Sequence, residues 1–509
     1  MTATQLCMLA AMLIYLSIMI LIGIVMSKRN ETVGDFYLGG RKLGPIVTAM
    51  SAEASDMSSY LLMGLPGLAY LTGLADVGWT IIGLAAGTYL NWLIVARRLR
   101  LYSARIGSIT LPMFFSERYG DKKRILALIS AVWIIVFFIP YTASGFAACG
   151  KLFRTLFGTD YHAAMMISAL IIVFYTALGG FLAASTTDLI QSIVMTASLV
   201  VMIFFGVHMA GGYSSVLDNA RSLPGYLSFS STYDPVSGTS SPYGPITVVS
   251  TMAWGLGYFG MPHILLRFMA IEDDRKIRIS RRIASVWVVI AMAIAVFIGF
   301  IGLALSKSGI IPVLEGSGSE TVIVEISSLL SRFGIIPAVI AGIVLSGILA
   351  CTMSTSDSQL LAASSSVSND IITEFFKVKI SPQKLLLISR SCLVAIAVIG
   401  ILLAWNPDSS VFGIVSFAWA GFGATFGPVM LLALFWKRSN RQGAVAGMLA
   451  GGIMIFVWKF LVRPVGGVLN IYELLPAFII ALVVNVAVSL LTPAPEKEIT
   501  NIFDEISKK

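Results

Sequence analysis

The stretch Ser51-Ala52-Glu53-Ala54-Ser55-Asp56-Met57-Ser58-Ser59 lies inside an apolar run over 43–71. A run of about 20 apolar residues spans a bilayer as one helix. Charge within such a run is costly and usually marks a pathway or a binding site. A continuous lipid-facing helix would not carry two carboxylates near its middle. Small residues favour an unwound or tightly packed stretch, whose freed carbonyls need partners or an ion. A polar packing seam is the plainer alternative; the reading as a site is preferred.

Outward from this patch the chain repeats the apolar theme. Of its 509 residues, 57% are hydrophobic and 12% charged, with a mean hydropathy of +0.88. A soluble protein of this length cannot hide so much apolar surface. Thirteen apolar runs are predicted as spans: 5–27, 43–71, 77–96, 125–150, 161–179, 187–211, 244–270, 283–306, 335–366, 384–404, 409–436, 442–462 and 472–491. Alternate loops test that count, because cytoplasmic loops are enriched in Lys and Arg. Most of the 35 basic residues follow odd-numbered spans, among them Lys28, Arg29, Arg41, Lys42, the series Arg97 to Arg124, Arg275 to Arg282, and Lys437 to Arg441. The pattern predicts an inner-membrane protein with its N-terminus outside and its C-terminus in the cytoplasm. The net charge of +9 then reads as topology and contact with anionic membrane lipid, with no nucleic-acid partner.

Cys7, Cys149, Cys351 and Cys392 fall in apolar runs, so no disulfide framework is expected. The first run lacks a small-residue cleavage site and reads as a retained helix. The polar connection 212–243, rich in Ser, Gly and Pro, reads as a mobile lid or spacer. The organisation expected is an N-terminal helix and loop (1–42), five spans (43–211), that connection (212–243), five more spans (244–436), and C-terminal helices with a cytoplasmic tail (437–509). No appended soluble domain is expected.

The seventh run is interrupted too. Trp254-Gly255-Leu256-Gly257-Tyr258-Phe259-Gly260-Met261-Pro262 puts three Gly and a Pro in mid-span, where Pro removes a donor and Gly permits unwinding. Spans two to six and seven to eleven form two sets of five, and the first member of each is broken. Paired interruptions at corresponding positions point to an inverted-repeat transporter with its site between the breaks. A third polar cluster, Ser354-Thr355-Ser356-Asp357-Ser358-Gln359, occupies the ninth run. Hydroxyls and carbonyls suit a hard cation such as sodium. Ser and Thr can also bond back to their own helix, which explains one or two hydroxyls but poorly explains five polar residues with a carboxylate.

Other classes lack their residues. His162, His208 and His263 are scattered, with no H-E-x-x-H spacing and no G-x-S-x-G elbow, so an enzyme is not expected. A channel would show repeated pore segments or charged rings.

Taken together these stretches resemble the solute:sodium symporter family, and within it the branch that transports proline. The likeness rests on Leu38-Gly39-Gly40-Arg41, Ala54-Ser55-Asp56-Met57-Ser58, Leu61-Leu62-Met63-Gly64-Leu65-Pro66-Gly67, the Trp254–Gly260 stretch with Pro262-His263, Met353-Ser354-Thr355, Trp419-Ala420-Gly421-Phe422-Gly423, and Tyr175 with Gly179-Gly180-Phe181. The resemblance implies an all-α, LeuT-type fold of five plus five helices, with one extra N-terminal helix and two C-terminal ones. It implies sodium-coupled import of a small amino acid, with proline the expected cargo and the monomer the working unit. Another small amino acid or a carboxylate is the alternative cargo.

By the same resemblance the carbonyls of Ala54, Met57 and Cys351 and the hydroxyls of Ser354 and Thr355 are expected sodium ligands. Asp56 and Arg41 match positions important for sodium coupling. Ser58, Tyr141, Trp254, Tyr258 and Pro262 match positions around the solute, and Gln359 extends that set. Ser59 and Tyr60 border it where the proline branch carries Gly-Trp. Glu53 stands where a small residue is usual. Asp188, Asp357 and Ser358 are expected to form a possible second cation site, the alternative being that Asp357 pairs with a basic residue or faces the cytoplasmic vestibule.

Overall fold

The computed structural model describes residues 2–27 and 33–508. Lys28, Arg29 and Lys509, which enter the loop-charge pattern, lie outside them. The described chain is a helical bundle with one small hairpin. The helices used below are α1 (Ala3–Ser27), α2 (Pro45–Ser59), α3 (Leu65–Thr72), α4 (Leu74–Leu90), α5 (Ile125–Phe157), α6 (Tyr161–Met209), α7 (Pro245–Met252) and α8 (Pro262–Ala270). They continue with α9 (Ile277–Lys307), α10 (Ile335–Ser365), α11 (Pro382–Leu403), α12 (Val411–Phe435), α13 (Arg441–Val457) and α14 (Leu474–Leu491).

Among the described residues, ten helical stretches are long and apolar enough to cross a membrane. The difference from thirteen runs has three local causes. The fifth and sixth runs share α6, but Gly180 within it has φ 64° and ψ −172°, a conformation open mainly to glycine. α6 is therefore two helical segments joined at Gly180. The second and seventh runs are each divided between two shorter helices.

In the second run, Gly44 is extended and Pro45 opens α2, a position where the missing N–H of proline costs no helical bond. α2 is interrupted at Ser58, with φ 48° and ψ −169°. A wide π-type turn, Tyr60–Gly64, then leads into α3. A non-glycine residue held in this region costs on the order of 1–3 kcal/mol; the Ser58 hydroxyl offsets part of that by accepting the Tyr60 N–H at 3.1 Å.

In the seventh run, α7 gives way to a 3₁₀ turn, Ala253–Gly260. Met261 is extended and Pro262 starts α8. Glycine is needed here for close approach: a Cβ on Gly257 would sit 2.0 Å from the Trp419 indole nitrogen on α12. The ends of the two broken runs also touch, because Leu43 before α2 bridges Ile271 after α8.

α10 is buried along most of its length, and packs on α6, α1, α2 and α5. That is the position expected of its first half, 335–351, which is apolar on nearly all sides. α12 packs on the 3₁₀ turn, α5, α13 and α14.

The connection 212–243 corrects an expectation. It holds a helix, Tyr213–Arg221, and a hairpin of β1 (Ser231–Asp234) and β2 (Thr239–Pro242), with Ser231 opposite Pro242. Tyr226, fully buried, donates to the carbonyls of Ala69 at 2.6 Å and Tyr70 at 3.1 Å. Thr232 and Tyr243 both donate to Asp76 at the start of α4. The segment is a docked cap rather than a mobile spacer, because two tyrosines anchor it. The four cysteines are free, as expected.

Candidate functional site

The two breaks meet. Tyr258, on the 3₁₀ turn, donates its hydroxyl proton to Asp56 Oδ2 at 2.5 Å. Tyr141 on α5 donates to the Asp56 carbonyl at 3.2 Å, and Asn91 Nδ2 fixes the Tyr258 carbonyl at 2.9 Å. Asp56 is buried, and Tyr258 is the donor that orients its carboxyl.

Beside this junction α10 presents its polar stretch to α2. The Ser354 hydroxyl lies 2.8 Å from the Ala54 carbonyl and 3.2 Å from that of Cys351. Thr355 Oγ1 is buried with no hydrogen-bond partner. An unpartnered buried hydroxyl is rare and calls for a water or an ion. The Met57 carbonyl accepts the Tyr60 N–H. The oxygens of Ala54, Cys351 and Ser354 thus converge, with the Thr355 hydroxyl one residue on. Carbonyl and hydroxyl oxygens of this kind fit a hard monovalent cation.

Next to the oxygens is a small cavity lined by Asp56, Met57, Tyr60, Tyr141, Trp254 and Trp419, closed by Leu84 and Val415. The space left is about 10 Å³, enough for about one water. Aromatic stacking closes it. Trp254 lies 5.7 Å from Tyr60, 5.2 Å from Tyr472 and 6.2 Å from Trp419 between ring centroids. Phe412 covers Tyr60 at 5.8 Å and Trp254 at 5.6 Å. The Trp419 indole N–H donates to the Trp254 carbonyl at 2.7 Å.

Not every expected residue joins this site. Pro262 starts α8 and does not line the cavity. The Ser59 hydroxyl is buried without a partner, off the cavity wall. Gln359 Oε1 accepts from Thr142 at 3.0 Å, so its side chain ties α10 to α5. Arg41 lies elsewhere: it donates to Ser103 Oγ, Met269 O, Ser103 O and Ser108 O at 2.6–3.1 Å. There it joins the connection before α2 to the end of α8, and burial, with Arg100 nearby, pushes its guanidinium pKa down to about 10. Glu53 Oε1 accepts the Trp92 indole N–H at 3.0 Å, while Oε2 has no partner.

Asp188, Asp357 and Ser358 are brought together, but around a protein cation. Arg267 on α8 donates to Asp188 Oδ2 at 3.2 Å and to Ser358 Oγ at 2.5 Å. Arg267 had no role in the sequence reading. Neither did Leu84, Val415, Phe412 and Tyr472, which are apolar or aromatic residues in apolar runs. Trp419 stood in a quoted motif, and its tryptophan-glycine setting was the available signal.

The model of the sodium:solute symporter family matches residues 36–451, most of the chain and all of both breaks. The chain belongs to that family. The high-affinity proline transporter PutP of Bacillus subtilis (strain 168) is 40% identical over 489 residues, covering 96% of this symporter and 98% of its own length. The sodium/proline symporter of Escherichia coli (strain K12) is 40% identical over 504 residues, covering 98% and 96%. A solved structure of a Na+-coupled sialic acid symporter, substrate-bound and outward-open, matches with a TM-score of 0.78 at 18% identity, covering 96% of this chain and 99% of that one. Mhp1, a nucleobase-cation-symport-1 family transporter solved in a closed conformation, matches with a TM-score of 0.57 at 15% identity, covering 92% and 98%. These two likenesses show a shared transporter fold.

Proposed function

We propose that this symporter imports L-proline with sodium across the cell membrane by alternating access. The observation that carries the reading is the junction of the two breaks, where Tyr258 meets Asp56 beside the Ala54–Cys351–Ser354 oxygens. Sodium binds those oxygens and the Thr355 hydroxyl, with Met57 joining as its carbonyl is released. Asp56 orders the unwound backbone, and Ser58 sets its turn. Tyr60, Tyr141, Trp254, Tyr258 and Trp419 enclose the solute: their faces suit a pyrrolidine ring and an ammonium group. Half-helix N-termini such as that of α8 supply donors and dipole for a carboxylate.

In this reading the chain has thirteen spans as two inverted sets of five, plus one N-terminal and two C-terminal helices. The N-terminus is outside, the C-terminus is cytoplasmic, and one chain is the working unit. The full-length relatives named as proline transporters support the cargo. Radiolabelled uptake into proteoliposomes, over a panel of small amino acids with and without a sodium gradient, tests it. Saturable, sodium-driven proline accumulation is expected. Sodium-driven uptake of a different solute alone would keep the mechanism and replace the cargo; sodium-independent uptake would overturn both.

A further inference from the structure

α4 lies directly against the seventh-run break. A Cβ on Gly83 would sit 2.3 Å from the Met252 carbonyl oxygen, and one on Gly87 2.3 Å from that of Gly255. The two glycines are one helical turn apart, so they let the backbones touch along one face. Just beyond them the helix widens. Over Asn91–Val95 it makes a π-type turn, in which the Ala96 N–H reaches the Asn91 carbonyl. Such turns are uncommon within helices and recur at functional sites.

The first two side chains of this turn go to different breaks. Asn91 is fully buried and donates to the Tyr258 carbonyl at 2.9 Å. Tyr258 is thus held at both ends, by Asn91 at its carbonyl and by Asp56 at its hydroxyl. Trp92, also buried, donates to Glu53 Oε1 at 3.0 Å, and its ring lies 4.4 Å from that of Phe268 on α8. Glu53 Oε2 has no partner, so the position of this buried carboxylate depends on the indole N–H. Leaving it without that donor is costly. Glu53 directly precedes Ala54 in α2. A carbonyl has no rotamer with which to adjust, so the Ala54 oxygen moves when Glu53 moves. Asn91, Trp92 and Glu53 all stand off the cavity wall.

We infer that Asn91 and Trp92 are positioning residues that tie both sites to one turn: Asn91 sets the solute side through Tyr258, and Trp92 sets the sodium side through Glu53 and Ala54. This rests on the sodium/proline reading above. The adjacency of the two residues makes the inference sharp, because neighbours on one turn are assigned opposite effects.

The test is uptake into proteoliposomes, read as half-saturating sodium and as proline KM at saturating sodium. Asn91→Leu keeps the bulk and removes the donor; its proline KM should rise about fivefold, with half-saturating sodium changed less than twofold. Trp92→Phe keeps the ring against Phe268 and removes the indole N–H. Its half-saturating sodium should rise by about five- to tenfold, with the proline KM changed less than twofold. Equal changes in both quantities, as general loosening would give, or no change in either variant, would overturn the inference. Should a variant fail to fold, Asn91→Ala replaces the first and Glu53→Ala the second, with the same expectations. Glu53→Gln keeps an acceptor for the indole and removes the charge, so it should restore half-saturating sodium to within twofold of wild type. A sodium defect in Glu53→Gln as large as in Glu53→Ala would make the charge the cause and overturn the positioning role. In the Glu53→Ala background, Trp92→Phe should add no further sodium defect; a full additional defect would overturn the Trp92–Glu53 link. Wild type reports on the underlying reading separately. Sodium-driven uptake of another solute alone would sink the cargo, and the split between the two variants would be decided with that solute; sodium-independent uptake would overturn both.

Discussion

At the scale of single residues, the oxygens around Ala54 make the sharpest claim. Thr355 Oγ1 has no partner in a buried setting, and Ser354 Oγ sits between two carbonyls. Removing either hydroxyl takes a ligand from a desolvated cation, a loss of order 1–3 kcal/mol. Thr355→Ala and Ser354→Ala should each lower apparent sodium affinity by about ten- to a hundredfold, read as half-saturating sodium in uptake at fixed proline. Proline affinity at saturating sodium should move less; a wild-type sodium dependence in both variants would remove the pair from the site. Trp419 offers the converse. Its N–H holds the Trp254 carbonyl, so Trp419→Phe should raise the proline KM by about fivefold, the worth of one buried hydrogen bond near 1 kcal/mol, with half-saturating sodium little changed. The polar members of the site were legible in the sequence because each stands out in an apolar run. Of the walls, Tyr60, Tyr141 and Trp254 were named from the sequence, but Leu84, Val415, Phe412 and Tyr472 look like lipid-facing or core residues until the helices are assembled. Arg267 was hidden for a different reason. A basic residue near a span end reads as a topology signal, and only the packing of α8 against α2 and α10 turns it inward.

At the scale of elements, the breaks matter more than the helices. Periodicity and length locate apolar spans well, and the glycine–proline cluster in the seventh run announces its interruption. The fifth and sixth runs, 161–179 and 187–211, are one hydrogen-bonded helix interrupted at Gly180. Gly180→Ala tests that joint. Its φ of 64° with ψ of −172° is strained for any residue with a Cβ, by on the order of 1–3 kcal/mol. The expected result is a lower thermal midpoint in detergent and reduced expression, with no such effect for alanine at Gly413, whose added Cβ would meet nothing closer than 3.6 Å. A second joint lies at the start of α12. Glu320 pairs with Lys151 of α5 at 2.7 Å, with both side chains buried, and accepts the N–H groups of Val411 and Phe412. Lys151→Met strands that carboxylate at the N-terminus of α12. Breaking a buried pair by removing one partner costs about 3–5 kcal/mol, lessened here by the remaining donors. A clear drop in thermal stability is expected, and a midpoint equal to wild type would show the pair to be dispensable.

At the scale of the whole molecule, the cavity between the two broken runs holds about 10 Å³, too little for a pyrrolidine ring. Tyr60, Trp254 and Phe412 fill the space that a pyrrolidine ring needs, so solute binding requires those rings to separate. In the proposed alternating access, repeats rock around a fixed midplane site. The movement is also where the membrane potential enters. Proline carries no net charge at neutral pH, whereas the sodium proposed at the Ala54, Cys351, Ser354 and Thr355 oxygens carries one. Each inward cycle therefore moves a positive charge across the bilayer, and 100 mV, inside negative, contributes about 2.3 kcal/mol, or roughly fiftyfold in accumulation at equilibrium. Proteoliposomes given a potassium diffusion potential at constant sodium should raise steady-state proline in that sense and toward that size. The increase should disappear when the potential is collapsed by an ionophore and reappear when it is restored. Accumulation that ignored the potential would mean that a counter-charge leaves with each cycle, which the sodium and proline groups of this site do not provide.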